Sequence, residues 1–363
     1  MSKAPKIKIV EKEVLTKPRK VGPYRVLQEV GRGGMAVVYR GVHEPLQREV
    51  ALKELLPSVA DLESNSRFRR EALALAAFRH QNIVTLYDLV EKNDSLYMVM
   101  EFVDGPTLAE LLKTGPLPAP VAAVIGARVA SALDHAHFSH IIHRDIKPSN
   151  IMVTKTGEVK LMDFGIAKDA GLEALTRKGI AVGTPSYMSP EQVMGTEVDA
   201  RTDVWSLGVV LYECLTGVKP FTGANAGEVF AKVRDGKFNP VRRATPGVPR
   251  ALEKIVHRAL RVSLNRRYPT AASVRRDCEL FLGREVGISH QALLVAFLRQ
   301  RGKLTETEAL ARVTTRELQQ VAVWDAGSSG GGVGLRWALA VGALALGSAL
   351  YATHSIWMPL LSH

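Results

Sequence analysis

Tyr24, Val26, Gln28 and Val30 fall on alternate positions, which predicts a β-strand because side chains of an extended chain point to opposite faces in turn. Gly31-Arg32-Gly33-Gly34 breaks that run, and Val37-Val38-Tyr39 opens a second strand-forming stretch. A third strand is expected over residues 49–54 and two more over 83–89 and 96–102. Between them, residues 64–78 set Phe68, Ala72, Leu75 and Ala76 at helical spacing, with Arg67, Arg69 and Arg70 as the polar side. After Asp104-Gly105-Pro106 the period becomes helical, at 107–113, 119–138, 203–216, 225–234, 250–260 and 270–282, around a loop-rich stretch at 143–195. Further helical segments fall at 289–300 and 305–322, and residues 325–334 read as a Gly/Ser linker. Upstream, residues 1–23 contain Pro5, Pro18, Pro23 and scattered lysines without a sustained period and read as a mobile arm. The pattern is that of an α+β chain, with a small sheet-based lobe followed by a larger helical one.

Composition narrows the class. At 363 residues, 46% hydrophobic and 23% charged, the chain is globular, and disorder throughout is excluded. Two cysteines, Cys214 and Cys278, cannot form a disulfide framework, and no apolar N-terminal segment argues for secretion, so a reducing cytoplasm is expected for the main body. The net charge of +12 is unevenly spread: +5 in residues 1–23, −4 in 24–231, +11 in 232–302 and zero in 303–363. The excess lies just upstream of the one long apolar segment and lacks interleaved aromatics, which favours a membrane surface over nucleic acid.

Candidate chemistry begins at Gly31-Arg32-Gly33-Gly34-Met35-Ala36, where the lack of bulky side chains lets backbone amides approach a polyphosphate. Alone, this run is equally an ordinary tight turn. It is followed by Val50-Ala51-Leu52-Lys53 on a strand, Glu71 on the next helix, His143-Arg144-Asp145-Ile146-Lys147-Pro148-Ser149-Asn150, and Asp163-Phe164-Gly165. Lys53 and Glu71 in isolation would read as a surface ion pair.

In this order the residues resemble the protein kinase family, in particular the bacterial eukaryotic-like (Hanks-type) serine/threonine protein kinases, over residues 24–282. The resemblance implies a bilobal fold, with a small antiparallel-sheet N-lobe carrying one helix and a larger helical C-lobe. It implies ATP as co-substrate with Mg²⁺, Mn²⁺ being an alternative, and protein Ser/Thr hydroxyls as acceptors. Asp145 would accept the proton of the attacking hydroxyl, with Lys147 beside it in the serine/threonine pattern. Asn150 and Asp163 would supply hard oxygen ligands to the metal, and Lys53, held by Glu71, would bind the α- and β-phosphates. The nucleotide-binding set so implied is Val30, Gly31, Arg32, Gly33, Gly34, Met35, Ala36, Val37, Val38, Ala51, Lys53, Glu71, Glu101, Val103 and Met152. Within it Val38 and Ala51 form the roof over adenine, Met152 the floor and the backbone of Glu101 and Val103 the hydrogen-bonding edge, with Met100 at the gate. The apolar members are otherwise simply core. Ala36 stands where the usual pattern has a third glycine.

Gly183-Thr184-Pro185-Ser186-Tyr187-Met188-Ser189-Pro190-Glu191 resembles the end of an activation segment, with Ser189 in place of the commoner alanine. The resemblance has Thr184 bonding toward Asp145 and Lys147, Glu191 pairing with Arg267 and Asp203 bracing the catalytic loop. Thr176, flanked by Arg177 and Lys178, is the expected regulatory phosphosite, its phosphate docking on Arg144; otherwise it is a plain loop threonine. Three rivals remain: a pseudokinase scaffold, opposed by the presence of Lys53, Asp145 and Asp163; a small-molecule phosphotransferase, opposed by the peptide-binding segment; and a nucleic-acid binder, opposed by the missing motifs.

The 17 residues 337–353 carry no formal charge, and extension to Trp357 gives about 31 Å of helix against a hydrocarbon core of about 30 Å. A single transmembrane helix over 335–357 is expected, flanked by Trp337, Tyr351 and Trp357, with the kinase on the cytoplasmic face of a bacterial inner membrane. The alternative is a buried helix packed on the kinase. Ala338 with Gly342 and Ala343 with Gly347 offer a small-residue surface for a homodimer. Only six residues, 358–363, follow, so no external sensor is expected. The expected order is thus a basic arm (1–23), a kinase domain (24–282), a helical extension (283–324), a linker (325–334), an anchor (335–357) and a short tail.

Overall fold

A strand register that alternates buried and exposed side chains organises the first of two units, residues 1–79 with 84–103. The computed structural model describes residues 19–33, 36–56, 62–93, 95–164, 185–285 and 289–328. Gly34, Met35, Gly165, Thr176, Thr184 and the apolar run 337–353 lie outside the described residues.

The sheet is antiparallel throughout, in the order β1-β2-β3-β4-β6-β5. Its strands are β1 (Lys20–Val21), β2 (Tyr24–Arg32), β3 (Ala36–His43), β4 (Arg48–Leu55), β5 (Leu86–Lys92) and β6 (Ser95–Glu101). Val21, Tyr24, Val26, Val37, Tyr39, Val50, Leu52, Tyr97 and Val99 form the apolar core on one face. Helix α1 (Leu62–Ala76) buries Phe68, Ala72 and Leu75 and turns Arg69, Arg70 and Leu73 outward.

The basic arm expected to reach residue 23 is corrected at its end. Lys20 and Val21 pair with Arg25 and Tyr24 across a two-residue turn, in which Gly22 takes the left-handed φ of +54° that side chains disfavour. Arg19 donates to the buried carboxylate of Glu54 at 2.5 Å and to the Tyr97 hydroxyl, which itself donates to Glu54 at 2.6 Å. Burial pushes the Glu54 carboxyl up, but the donors Arg19, Tyr97 and Tyr39 outweigh it and hold the group below its ordinary value.

The second unit, residues 80–83 with 104–363, is mainly helical. It contains α2 (Leu108–Leu112), α3 (Ala119–Phe138), the hairpin β7 (Ile151–Val153) and β8 (Val159–Leu161), α4 (Pro190–Met194), α5 (Arg201–Thr216), α6 (Ala226–Asp235), α7 (Val241–Ala244), α8 (Arg250–Ala259) and α9 (Ala271–Glu285). Helix α3 buries nearly its whole circumference, because α5, α9 and α10 (His290–Gln300) all pack on it. Gly126 of α3 allows the close approach of α5: a Cβ there would lie 2.7 Å from Leu211. The hairpin, α4 and α7 fall in stretches whose sequence shows no sustained period.

The extension is part of this unit. Helix α10 buries Leu293, Leu294, Val295, Phe297 and Leu298, and α11 (Glu306–Leu310) and α12 (Thr315–Ser328) follow. A break at 311–314 replaces the single helix expected over 305–322, and α12 runs four residues into the stretch read as linker. Arg301 donates to Thr114 O and Oγ1 at 2.6 Å and to Pro116 O at 2.5 Å, while Gln291 donates to Thr156 O at 2.7 Å. Among the described residues no helix is long and apolar enough to cross a membrane.

Candidate active site

The sheet unit places its candidate residues by strand alternation. Val38, Lys53 and Met98 are cross-strand partners, as are Arg40, Ala51 and Met100, so Val38, Ala51, Lys53 and Met100 share the face opposite the apolar core. Lys53 Nζ lies 2.9 Å from Glu71 Oε1 of α1, joining the two groups the sequence paired. Val37 is different. Its side chain is 1% exposed within the core on the other face, so it does not share the face of Val38. Gly31 and Arg32 end β2 after a register shift, Val30 is exposed, and Gly33 N–H donates to Ala36 O at 2.8 Å to close the turn. Arg32 pairs with Glu29 on the surface. Glu101 ends β6, where its N–H donates to Thr85 O at 2.9 Å, and Val103 is buried just beyond.

In the helical unit the catalytic loop is aimed by a buried residue. Ile146 is fully buried between Asp145 and Lys147, and the extended backbone at Lys147 sends the side chains on either side of Ile146 outward. Lys147 Nζ donates to Asp145 Oδ2 at 2.8 Å, and Asn150 Nδ2 donates to Asp145 O and Oδ2 at 2.9 and 3.2 Å. Asn150 is therefore oriented with its amide nitrogen toward Asp145, which turns its oxygen away as an acceptor for a cation. Asp163 has a left-handed φ of +51° and Arg144 one of +64°, conformations costly for residues with a Cβ. Asp203, fully buried at the start of α5, holds the strained loop: its carboxylate accepts the N–H groups of His143 and Arg144, both at 2.8 Å. This is the bracing role expected of it.

Two participants were not singled out from sequence. His137 of α3 lies with Nε2 2.8 Å from Asp203 Oδ2, and His143 donates from Nε2 to Met162 O at 3.0 Å while its Nδ1 accepts from Asp145 N–H. Burial pushes the His143 imidazole below its ordinary pKa, which keeps it neutral and able to both donate and accept. Ser189 explains its own departure from alanine. It caps α4, accepting from Gln192 N–H while Gln192 accepts from Ser189 N–H, and the Ser-Pro-Glu-Gln spacing is readable as such a capping box. Gln192 Nε2 also donates to Arg144 O at 3.3 Å. Glu191 pairs with Arg267 as expected, at 2.7 and 3.1 Å.

Asn150 and Asp163 carry oxygen donors suited to a hard cation, and two protein ligands are in keeping with Mg²⁺, which retains waters and phosphate oxygens around it. Among the described residues no cluster of three or more His, Cys, Asp or Glu forms an all-protein cage. Met152 lies on β7, bridged to Thr107. Beside Lys147 a cavity of about 350 Å³ is lined by Ala109, Leu112, Pro148, Ser149, Tyr187, Glu213 and Lys219. Tyr187 donates to Glu213 at 2.6 Å, and burial pushes the Glu213 carboxyl above its ordinary value.

Residues 24–277 match the protein kinase domain family, and the chain belongs to that family. It is 42% identical over 258 residues to a probable serine/threonine-protein kinase of Clostridium perfringens and 40% over 258 residues to the serine/threonine-protein kinase PrkC of Bacillus subtilis. It is 43% identical over 270 residues to the serine/threonine-protein kinase PknB of Mycobacterium leprae. These alignments cover 70–72% of this chain and 38–43% of those proteins, so the chain spans about two fifths of the length of the curated relatives it matches. The bacterial Hanks-type resemblance read from the motifs stands on this footing, while the helices beyond residue 277 fall outside the family match.

Proposed function

We propose that the chain is an ATP-dependent serine/threonine protein kinase acting in bacterial signalling. The observation that carries this is Asp145, aimed outward between Lys147 and Asn150 on a loop clamped by the buried carboxylate of Asp203. In the reaction a substrate hydroxyl oxygen bonds to the γ-phosphorus as the bond from that phosphorus to the β–γ bridging oxygen breaks, leaving ADP. Asp145 takes the hydroxyl proton, and Lys147 offsets negative charge gathering on the transferred group. Lys53, fixed by Glu71, would hold the α- and β-phosphates, and Asn150 and Asp163 would hold Mg²⁺, which when bound would draw charge from the phosphate oxygens. The cavity beside Lys147 supports a peptide as acceptor, since it can receive a side chain flanking the phosphorylated residue.

The finer reading has three parts. Phosphorylation of Thr176 by the enzyme itself orders the activation segment through charge-assisted bonds to Arg144. The 335–357 segment anchors the chain in the bacterial inner membrane with both lobes in the cytoplasm, supported by its 17 uncharged residues and the basic stretch before it. Small residues four apart in that segment support a homodimer.

Incubation of the full chain with labelled ATP, Mg²⁺ and a generic protein should yield phosphoserine or phosphothreonine. Asp145→Asn should lower the rate by about 10³-fold while nucleotide binding survives, because the amide cannot accept the proton. An undiminished rate in that variant sinks the mechanism, and phosphopeptide mapping of active enzyme with Thr176 unmodified removes the proposed switch.

A further inference from the structure

Several exposed cations of the sheet unit are answered by carboxylates, whereas one stretch of the helical unit gathers exposed cations without them. On the sheet unit Arg32, Arg40, Lys20 and Arg69 each face a carboxylate, respectively Glu29, Glu49, Glu44 and Glu91. On the helical unit Arg243, Arg250, Lys254, Arg261 and Arg266 are all exposed, and none has an ion-pair partner among the described residues. They belong to the 232–302 stretch with its net charge of +11.

Geometry gathers these charges. Arg250, Lys254 and Arg258 are spaced four apart on α8 and so lie on one face, spanning about 12 Å along its axis. Arg261 follows α8 directly, and α7, which carries Arg243, is held beside α8 by the Arg242 N–H bond to Glu253 at 2.9 Å. The carboxylates nearby are already engaged. Glu253 accepts that bond, and Asp277 of α9 accepts from Tyr268 at 2.7 Å with Arg258 and Arg276 at 4.0 and 3.4 Å. No aromatic side chain is exposed among these cations, which disfavours a single-stranded nucleic acid that would need stacking.

We propose that this basic face of α7 and α8 lies against an anionic phospholipid bilayer, holding the helical unit flat on the membrane surface. The proposal rests on the membrane-anchor reading above. Only eight residues lie between Ser328 and Trp337, a contour of at most about 30 Å, so an anchor at 335–357 keeps the unit within reach of the headgroups. At that range each unpaired cation near anionic lipid favours contact by about fivefold, and removing four of them should lower the ratio of apposed to free units by about 10³-fold.

The two native cysteines, Cys214 and Cys278, are buried, so Ala251→Cys on the exposed side of α8 gives a single accessible labelling site in the full-length chain. The labelled protein is reconstituted into phosphatidylcholine vesicles and into vesicles containing phosphatidylglycerol, both with an acceptor dye on the headgroups. Energy transfer should be higher in the anionic vesicles, collapse near 1 M salt where the Debye length is about 3 Å, and be lost in the variant carrying Arg243→Gln, Arg250→Gln, Lys254→Gln and Arg261→Gln. Melting temperature and phosphotransfer in detergent should match the parent, which separates loss of the face from loss of the fold. Equal transfer in both vesicle types, or undiminished transfer in the variant, overturns the proposal. So does a variant that loses phosphorylation of an acidic protein in detergent while its energy transfer is unchanged, since the face is then a protein dock. Flotation with anionic but not neutral vesicles removes the anchor and supports the face. Flotation with neither overturns both.

Discussion

Two salt bridges, Lys53–Glu71 of the sheet unit and Arg267–Glu191 of the helical unit, are built from the same chemistry and serve opposite ends. Arg267 and Glu191 are 0% and 5% exposed at their side chains, and every donor of the guanidinium is spent: two on the carboxylate and three on the carbonyls of Arg201, Arg261 and Val262. Thr202 donates to the same carboxylate at 2.7 Å, and the guanidinium stacks on Trp205. Such a guanidinium has no donor left for a ligand. Lys53 and Glu71 meet at 2.9 Å and are 14% and 12% exposed, and Lys53 lies on the sheet face opposite the apolar core. Saturation marks the pair that holds structure, and accessibility marks the one that can hold a phosphate.

Arg267→Met should produce the largest effect on that contrast. It leaves the Glu191 carboxylate buried without its cation, which costs about 3–5 kcal/mol, or roughly 10 °C in melting temperature for a domain of this size. Replacing both partners by apolar residues should recover most of that loss, because the uncompensated charge is then absent. Lys53→Met comes next. Phosphotransfer should fall by about 10²–10³-fold, the usual cost of removing one positioned charge, with the melting temperature nearly unchanged. If Lys53→Met melts as early as Arg267→Met, the distinction between the pairs collapses.

Acid should act on the structural pair. Burial pushes the Glu191 carboxyl up, but the hydrogen bonds and charge of Arg267 and the Thr202 hydroxyl outweigh it and hold the group below its ordinary value. A depressed carboxyl contributes stability that is fully present above the unfolded value, near pH 4, and is lost as pH falls through the folded value. Melting curves from pH 7 to pH 3 should therefore steepen below about pH 4 in the parent protein, and Glu191→Gln should flatten that segment.

Motif residues were legible because chemistry restricts their type and spacing. Lys53, Glu71, Asp145, Asn150 and the Glu191–Arg267 pair could be named before any geometry was known, and the structure joins Lys53 to Glu71, Asp145 to Asn150 and Glu191 to Arg267. Strands in the sheet unit were legible for a related reason, since one buried face imposes alternation. What escaped was set by tertiary context. The β7–β8 hairpin has three-residue strands too short to show a period, and β1 is a two-residue strand whose pairing depends on the Gly22 turn. A glycine loop followed by valines does not reveal which valine faces the core, whereas the register assigns Val37 to it and Val38 to the other face. His137 sits in a helix read correctly as a helix, but its bond to Asp203 is a contact 66 residues distant in sequence.

Arg301→Ala should give the smallest effect and tests whether the extension belongs with the structural pair or with the functional one. Arg301 is partly exposed, and its donors reach Thr114 and Pro116 on the loop before α3 from the end of α10. Burial lowers its pKa, yet the group remains charged at every pH the protein tolerates. Hydrogen bonds from a charged donor contribute about 1.5–3 kcal/mol when buried, and partial exposure here reduces that to about 1 kcal/mol. The melting temperature should fall by about 2–4 °C with phosphotransfer unchanged, because the bonded loop carries none of the residues that touch ATP or the acceptor. Arg301→Lys should recover part of the loss, since an ammonium can satisfy one carbonyl but not both in the fixed fork of a guanidinium. An unshifted melting temperature would mean that α10 is held by its buried leucines alone. A fall in activity at constant melting temperature would instead make the extension a regulator of the catalytic unit.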